Sequence, residues 1–212
     1  MEYRFVRDYR DDDALRKSFS QLAKKTFGID FERWYDCRGW NSHYIPYSYR
    51  WGNEIIANVS VNTMELVING KKHRAIQIGT VMTDPEHRGK GLASGLMKRV
   101  MEDFGDSNDL FFLAADEAAV PLYERFGFHK IGAKRFVIDT EFYRHTENLI
   151  EKADMSLKTL LELKGKAVPV SETLSAVSDE HILAFYNVHG FSESIYKVNS
   201  DTCVIFEMED MP

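Results

Sequence analysis

Cysteine is scarce: Cys37 and Cys203 are the two in 212 residues. They stand far apart and match no metal-ligand spacing. A disulfide framework needs more of them, so they read as free thiols of a reducing compartment. Long apolar runs are missing as well. No stretch approaches 18 apolar residues, so no membrane span is expected, and the first residues lack the apolar centre of a secretory signal. Basic residues are not in excess: 27 Lys and Arg face 33 Asp and Glu, a formal charge of −6. Phosphate backbones demand a basic face, which argues against nucleic acid as the principal partner. These shortages predict a soluble, cytoplasmic protein without membrane or nucleic-acid business.

What is present is apolar material, 44% of the residues, with 13% aromatic. That is ample for a packed core and argues against disorder. A first strand is expected at about Tyr3 to Arg7. A helix capped by Asp11 or Asp12 follows, with Leu15, Phe19, Leu22 and Phe27 on one side and Gly28 at its end. A second short helix should start near Asp30 and stop near Gly39. Strands are predicted from Tyr44 to Trp51, Ile55 to Ile68 and Lys72 to Thr83, with Asn69-Gly70 as the hairpin between the last two. Leu92, Leu96, Val100 and Phe104 recur every four residues and predict a helix that Gly105 ends. Leu110 to Ala115 reads as a strand buried on both faces. A helix from about Ala118 to Phe126 and a hairpin from Phe128 to Tyr143 complete this part. The order predicts an α/β fold with a mixed, mostly antiparallel central sheet flanked by helices. After His145 the character changes. A helix over Leu149–Leu163, a linker to Thr173, a helix from Asp179 to Val188 and a hairpin of Ile195–Val198 with Cys203–Met208 are expected. Residues 1–145 therefore form the core, and 146–212 a small α+β extension.

The chemistry is concentrated where the third long strand meets the next helix. Asp84-Pro85 breaks the strand, Gly89 and Gly91 strip side chains from the turn, and the helix starts at Leu92. Backbone N–H groups in such a turn form an anion-binding nest, and the helix N-terminus adds its positive end. Arg88 and Lys90 supply cationic side chains, although either could simply face water. A pyrophosphate is the natural guest. The string that a P-loop requires is absent. The dinucleotide fingerprint is missed because Gly89, Gly91 and Gly95 contain one residue too many. What remains is Arg/Gln-x-x-Gly-x-Gly/Ala, met by Arg88, Gly91 and Ala93.

In these residues the sequence resembles the GNAT superfamily of N-acetyltransferases, in which a strand leads into Arg-Gly-x-Gly-Leu/Ile-Ala/Gly at a helix start. Val81, Thr83, Pro85 and the run from Arg88 to Ala93 fit that signature. A second one, Asn-x-x-Ala-x-x-x-Tyr-x-x-x-Gly-Phe, is matched in register by Ala119, Tyr123, Gly127 and Phe128, with Asp116 in place of the asparagine. The resemblance covers roughly residues 3 to 145. It implies acetyl-CoA as cosubstrate, no metal, and transfer of the acetyl group to a primary amine by direct attack in a ternary complex. Carried over residue by residue, it implies a coenzyme site of Val81, Met82, Thr83, Arg88, Gly89, Lys90, Gly91, Leu92, Ala93, Ser94, Asp116, Ala119 and Tyr123. The backbone N–H near Val81, exposed by a strand bulge, would face the thioester oxygen. Tyr123 would be the catalytic acid at the departing sulfur.

Other points stay open in the sequence. Glu54, His43, His73 and Asp116 could each serve as base, and no spacing chooses among them. Phe31, Trp34, Tyr35, Trp40, Tyr44 and Tyr47 make the expected acceptor side strongly aromatic. Such rings could hold an amine's cationic head or simply fill the core. The acceptor could be a small-molecule amine or a peptide amine. An acetyl-CoA-binding sensor or scaffold without turnover is the alternative to an enzyme. The extension resembles the opening of a second GNAT-like half, or else is a capping segment that forms a homodimer contact across its unpaired edge strand.

Overall fold

The computed structural model of the chain describes residues 2–132, 151–153, 155–168, 171–200 and 202–206. Strand β1 (Tyr3–Arg7) leads to helix α1 (Asp13–Phe27). The Asp12 carboxylate accepts from the Ala14 and Leu15 amides, and Gly28 ends the helix at φ 73°, the cap chemistry expected at each end. Helix α2 (Glu32–Asp36) is shorter than the sequence suggested. Asp30 lies outside it, its carboxylate accepting from the Glu32 amide and the Ser20 hydroxyl, while Arg38 leaves helical geometry at φ 63°.

Strands β2 (Tyr44–Trp51), β3 (Glu54–Ile68) and β4 (Lys71–Thr83) form an antiparallel meander. Asn69 and Gly70 turn the β3–β4 hairpin with φ of 50° and 73°, the positive values a tight two-residue turn needs. Helix α3 (Leu92–Phe104) then crosses to β5 (Leu110–Phe112), which pairs parallel to β4. A 3-10 turn at Glu117–Ala119 precedes helix α4 (Val120–Glu124). The sheet order is β1-β2-β3-β4-β5: mixed, mostly antiparallel and flanked by helices, as expected. The strand foreseen over Leu110–Ala115 keeps only its first three residues, each half-buried rather than covered on both faces. The hairpin foreseen over Phe128–Tyr143 lies outside the described residues from 133 onward.

The later segment departs further from the sequence reading. Strand β6 (Glu151–Lys152) stands where a helix was expected, and helix α5 (Leu157–Lys166) begins only after Ser156, whose hydroxyl accepts from the Thr159 amide. Strand β7 (Leu174–Val177) was not foreseen. It pairs antiparallel with β3 at Glu65–Ile68, the stretch of β3 that lies beyond its pairing with β2. Helix α6 (Glu180–Val188) follows, and β8 (Ile195–Lys197) pairs with β6 and with β9 (Cys203–Ile205) in a small separate sheet.

Strand alternation splits the core into two layers. On one face Tyr47, Val59, Val61, Ile76 and Ile78 pack against Leu92, Leu96, Met97 and Val100 of α3. On the other, Phe19, Phe31, Trp34 and Tyr44 pack with Ala184 and Phe185 of α6. Trp34 holds this second layer together. Its indole N–H donates to the His181 carbonyl at 2.9 Å, and its ring lies so close to Gly39 that a Cβ there would fall 2.2 Å from Nε1. We expect Gly39→Ala to lower stability by about 1–3 kcal/mol through overpacking, read as a lower urea midpoint with an unchanged slope.

His181 is 2% exposed, and its ring stacks 5.3 Å from that of His43. Burial, with a smaller contribution from His43 and against the opposing pull of Asp179, holds its pKa down to about 4. The unfolded imidazole titrates near 6.5, so the unfolded chain binds more protons between those values. The stability tied to neutral His181 is therefore complete above about pH 6.5 and disappears as pH falls to 4, a loss of about 3 kcal/mol. Urea titrations at steps across that window should show a shallower acid loss for His181→Leu than for the parent protein.

Candidate active site

Opposite the pairing of Ser60 with Gly79 and Asn58 with Met82, the register of β4 slips. Two residues, Thr80 and Val81, then face the single Val59, and Thr80 adopts φ 49°. This is a β-bulge, which breaks the alternation of side chains and frees main-chain groups from the ladder. As a result Gly79 and Thr80, although consecutive, both border the same cavity. Val81 packs toward α3, and Met82 is buried in the opposite layer.

A chain of buried hydrogen bonds fixes the bulge. The Ser48 hydroxyl donates to Asn58 Oδ1 at 2.8 Å, so Tyr9 is the donor in its 2.7 Å bond with Ser48. Asn58 Nδ2 donates to both Ser60 Oγ and the Thr80 carbonyl at 2.8 Å. Ser60 donates to the Tyr44 oxygen at 2.7 Å, and Tyr44 donates to Thr80 Oγ1 at 2.9 Å. Ser48, Asn58 and Ser60 are fully buried, so each bond left unmade would carry its whole desolvation cost. Burial pushes the Tyr9 and Tyr44 phenols up from their ordinary range, which keeps both as donors.

Beside the bulge, β4 and β5 part. Their pairing covers only Ala75–Gln77 against Leu110–Phe112, while β4 runs on to Thr83. At the end of β4, Asp84 accepts from the Glu86 amide and from Lys25 at 2.8 Å. Arg88 Nε donates to the Thr83 carbonyl at 3.1 Å, and Lys90 Nζ to the Glu86 carbonyl at 3.1 Å. Gly89 and Gly91 take φ of 75° and 74°. Gly91 caps α3 with no side-chain hydrogen bond, so the first-turn amides of Leu92, Ala93 and Ser94 lack intrahelical acceptors and are not claimed by a capping side chain. The turn is exposed from Arg88 to Gly91.

Tyr123, in α4, is 7% exposed and belongs to the same cluster as Leu92, with Val81 and Ala119 packed against that cluster. Burial raises the pKa of its phenol, and the charge of Asp116 raises it further, so the hydroxyl keeps its proton at neutral pH. Asp116 itself is exposed and precedes the Glu117–Ala119 turn without capping it by its side chain.

On the other side of the bulge is a cavity of about 240 Å3. Three of the six singled-out aromatics, Phe31, Trp34 and Tyr44, line it. Trp40 is buried in the core beside them. Tyr35 carries the Arg16 guanidinium 3.7 Å over its ring. Tyr47 points to the opposite face, where its hydroxyl donates to Asp103 at 2.6 Å. The rest of the wall was not visible in the sequence. Ile182, Phe185 and Tyr186 reach it from α6, and Asn62, Gln77 and Thr80 from the sheet. Nothing but the apolar character of α6 could have pointed to its part.

None of the four residues considered as base is among the described residues lining this cavity. His43 Nδ1 is bonded to Thr63 Oγ1 at 2.9 Å. His73 sits near the β3–β4 turn, 3.9 Å from Asp109, and Glu54 is exposed at the start of β3. Among the described residues no group of His, Cys, Asp and Glu could hold a metal ion, and no helix is long and apolar enough to cross a membrane.

Comparison with known proteins adds independent support. The family model described as "Acetyltransferase (GNAT) domain" matches residues 13–131, more than half of the chain. Among solved structures, a predicted acetyltransferase from Clostridium acetobutylicum, solved with acetyl-CoA, is similar at 19% identity and TM-score 0.53. The match covers 68% of this chain and all of that one. A GCN5-related N-acetyltransferase from Ralstonia eutropha JMP134 shares 18% identity with TM-score 0.52, over 65% of this chain and 99% of its own. An acetyltransferase from Trypanosoma brucei gives 18% and 0.51 over the same shares. Identities this low speak for the fold alone. Among curated proteins none matches the chain. On the family match, with a fold of the same kind beneath it, the chain belongs to the GNAT family and is an acyltransferase.

Proposed function

We propose that the protein transfers an acetyl group from acetyl-CoA to a primary amine by direct attack, both substrates being bound together. The observation that carries this reading is the run Gly89–Ser94, whose main chain opens α3 without a side-chain cap beside the gap where β4 and β5 part. Gly91, Leu92, Ala93 and Ser94 would hold the pyrophosphate through main-chain N–H groups, as helix N-termini do, with Arg88 and Lys90 adding positive charge. Val81, Met82 and Thr83 would run along the pantetheine, with Asp116 and Ala119 on the far side of the gap. Bound there, acetyl-CoA supplies an activated thioester.

The chain's own residues then have two tasks. The N–H near Val81, released from the ladder by the bulge, donates to the oxygen that gains charge during attack. The Tyr123 hydroxyl, kept protonated by burial, gives its proton to the departing sulfur. The acceptor nitrogen bonds to the carbonyl carbon as the carbon–sulfur bond breaks, with no acyl-enzyme; the proton that nitrogen sheds passes to water, which reprotonates Tyr123. In this reading residues 1–145 carry the coenzyme machinery and 146–212 complete the acceptor side. A second reading, acetyl-CoA binding without turnover, draws support from the candidate bases lying away from the described cavity wall. Calorimetry with acetyl-CoA, followed by thiol release over a panel of amines, separates them. Binding with release supports the transferase, and binding without release on any amine supports the sensor. No binding overturns both.

A further inference from the structure

The cavity beside the bulge is lined by two groups of apolar side chains. Phe31, Trp34 and Tyr44 supply one group of rings, and Ile182, Phe185 and Tyr186 of α6 supply another, with Phe185 in direct ring contact with Phe31 and Trp34 at 5.4 Å. The rings of the core meet mostly edge to face: Phe31 with Trp34 at 74°, Trp34 with Tyr44 at 81°, and Trp34 with Phe185 at 85°. Each such contact turns the negative face of a ring toward a neighbour's edge, which leaves less of it to cradle a cation. The polar side chains among the described lining residues are Asn62, Gln77, Thr80, Tyr44 and Tyr186, with no carboxylate or basic group among them. At about 240 Å3 the space is also below the roughly 300–1,000 Å3 usual for drug-sized ligands.

The buried hydrogen-bond chain adds a direction. From Tyr9 through Ser48, Asn58 and Ser60 to Tyr44, each member donates toward the next, and Tyr44 donates to Thr80. The chain ends there with the Thr80 hydroxyl proton still to give. A hydroxyl has one donor and two acceptor sites, so Thr80, which borders the cavity, has a donor site besides the one that accepts from Tyr44.

We infer that this cavity selects a compact monoamine with an aromatic or branched apolar body, taken as the neutral free base, and that α6 sets the size of that body. The inference rests on the acetyl-transfer reading above and narrows it. A second ammonium, as in a polyamine or aminoglycoside, would have to be buried against neutral amides and apolar side chains, which is strongly unfavourable without a partner. An apolar body gains what a polycation loses, since rings and methyl groups make up much of the lining. With no charged side chain among the described lining residues, the amine enters as the free base. The rate at low amine concentration should then rise with pH along the substrate's own titration. At pH 7 a weakly basic amine should outrun a strongly basic one of equal size.

The test is kcat/KM for benzylamine, 2-phenylethylamine and isoamylamine against spermidine and kanamycin at pH 7 to 9, with acetyl-CoA affinity measured separately by calorimetry. The expected result is at least a tenfold preference for the three apolar monoamines. Phe185→Ala should shift that preference toward a bulkier body such as 4-phenylbenzylamine, with acetyl-CoA affinity within about twofold of the parent. Because Phe185 also packs in the core, Tyr186→Ala, at a residue 45% exposed, serves as a second probe and should shift it the same way. A preference for spermidine or kanamycin alongside normal acetyl-CoA binding overturns this inference and leaves acetyl transfer standing. So does a substrate order that neither variant changes. Failure to bind acetyl-CoA, or binding without turnover of any amine, overturns the acetyl-transfer reading and this inference with it.

Discussion

Gly91→Val is expected to weaken acetyl-CoA binding at least 100-fold, equivalent to about 2.7 kcal/mol, while leaving a folded protein. Gly91 sits at φ 74° immediately before α3, where a side chain costs roughly 1–2 kcal/mol by itself. A Cβ at this position meets no protein atom within 4 Å, so the protein has room for it. The conflict arises with the ligand, because a branched side chain stands where phosphate oxygens must approach the main-chain N–H groups. A turn that relaxes to escape the strain would turn those groups away, with the same result. Calorimetry read beside a thermal melt separates the two costs. A cooperative melt with affinity lost fits the placement, whereas a folded Gly91→Val protein with parental affinity would remove the turn from the coenzyme site.

Tyr123→Phe is expected to lower kcat about 100-fold, at the lower end of what a positioned proton donor contributes, with acetyl-CoA affinity changed no more than about threefold. The substitution deletes one oxygen and keeps the ring in the cluster it shares with Leu92 and Val100. Ground-state binding should therefore survive, and only the step in which sulfur gains charge should suffer. A product-release step slower than chemistry would hide the effect, so single-turnover measurements are the proper readout. An unchanged single-turnover rate would take Tyr123 out of proton transfer and leave it a packing residue.

Much of the core fold was legible because its signals are local. The Asn69-Gly70 turn, the Asp12 and Gly28 caps and the four-residue spacing of Leu92, Leu96 and Val100 each declare an element within a few residues. Strand β7 could not be read this way. Four residues hold too little alternation, and its partner, Glu65–Ile68 of β3, lies over 100 positions earlier. The helix foreseen over Leu149–Leu163 shows the opposite error, since apolar spacing was followed past the Ser156 cap. In the proposed site, the glycine turn and Tyr123 stand out in the sequence because main-chain geometry and a reactive side chain leave their mark on residue type. The cavity wall does not. Ile182, Phe185 and Tyr186 look like any buried helix face until the sheet they lie against is known. The hydrogen-bond chain from Tyr9 to Thr80 likewise joins four separate segments through serines and an asparagine that carry no signature.

The bulge in β4 has a consequence for how such a protein can diverge. The central sheet behaves as a partition, with the turn that precedes α3 on one side and the space under α6 on the other. Gly79 and Thr80 border the latter, while Val81 belongs to the former. In the proposed reading the strand works as a window frame between two rooms, with the chemistry placed at the opening. On that reading, changes furnished on the α6 side would alter which molecule comes to that window without disturbing the room proposed for the acyl donor.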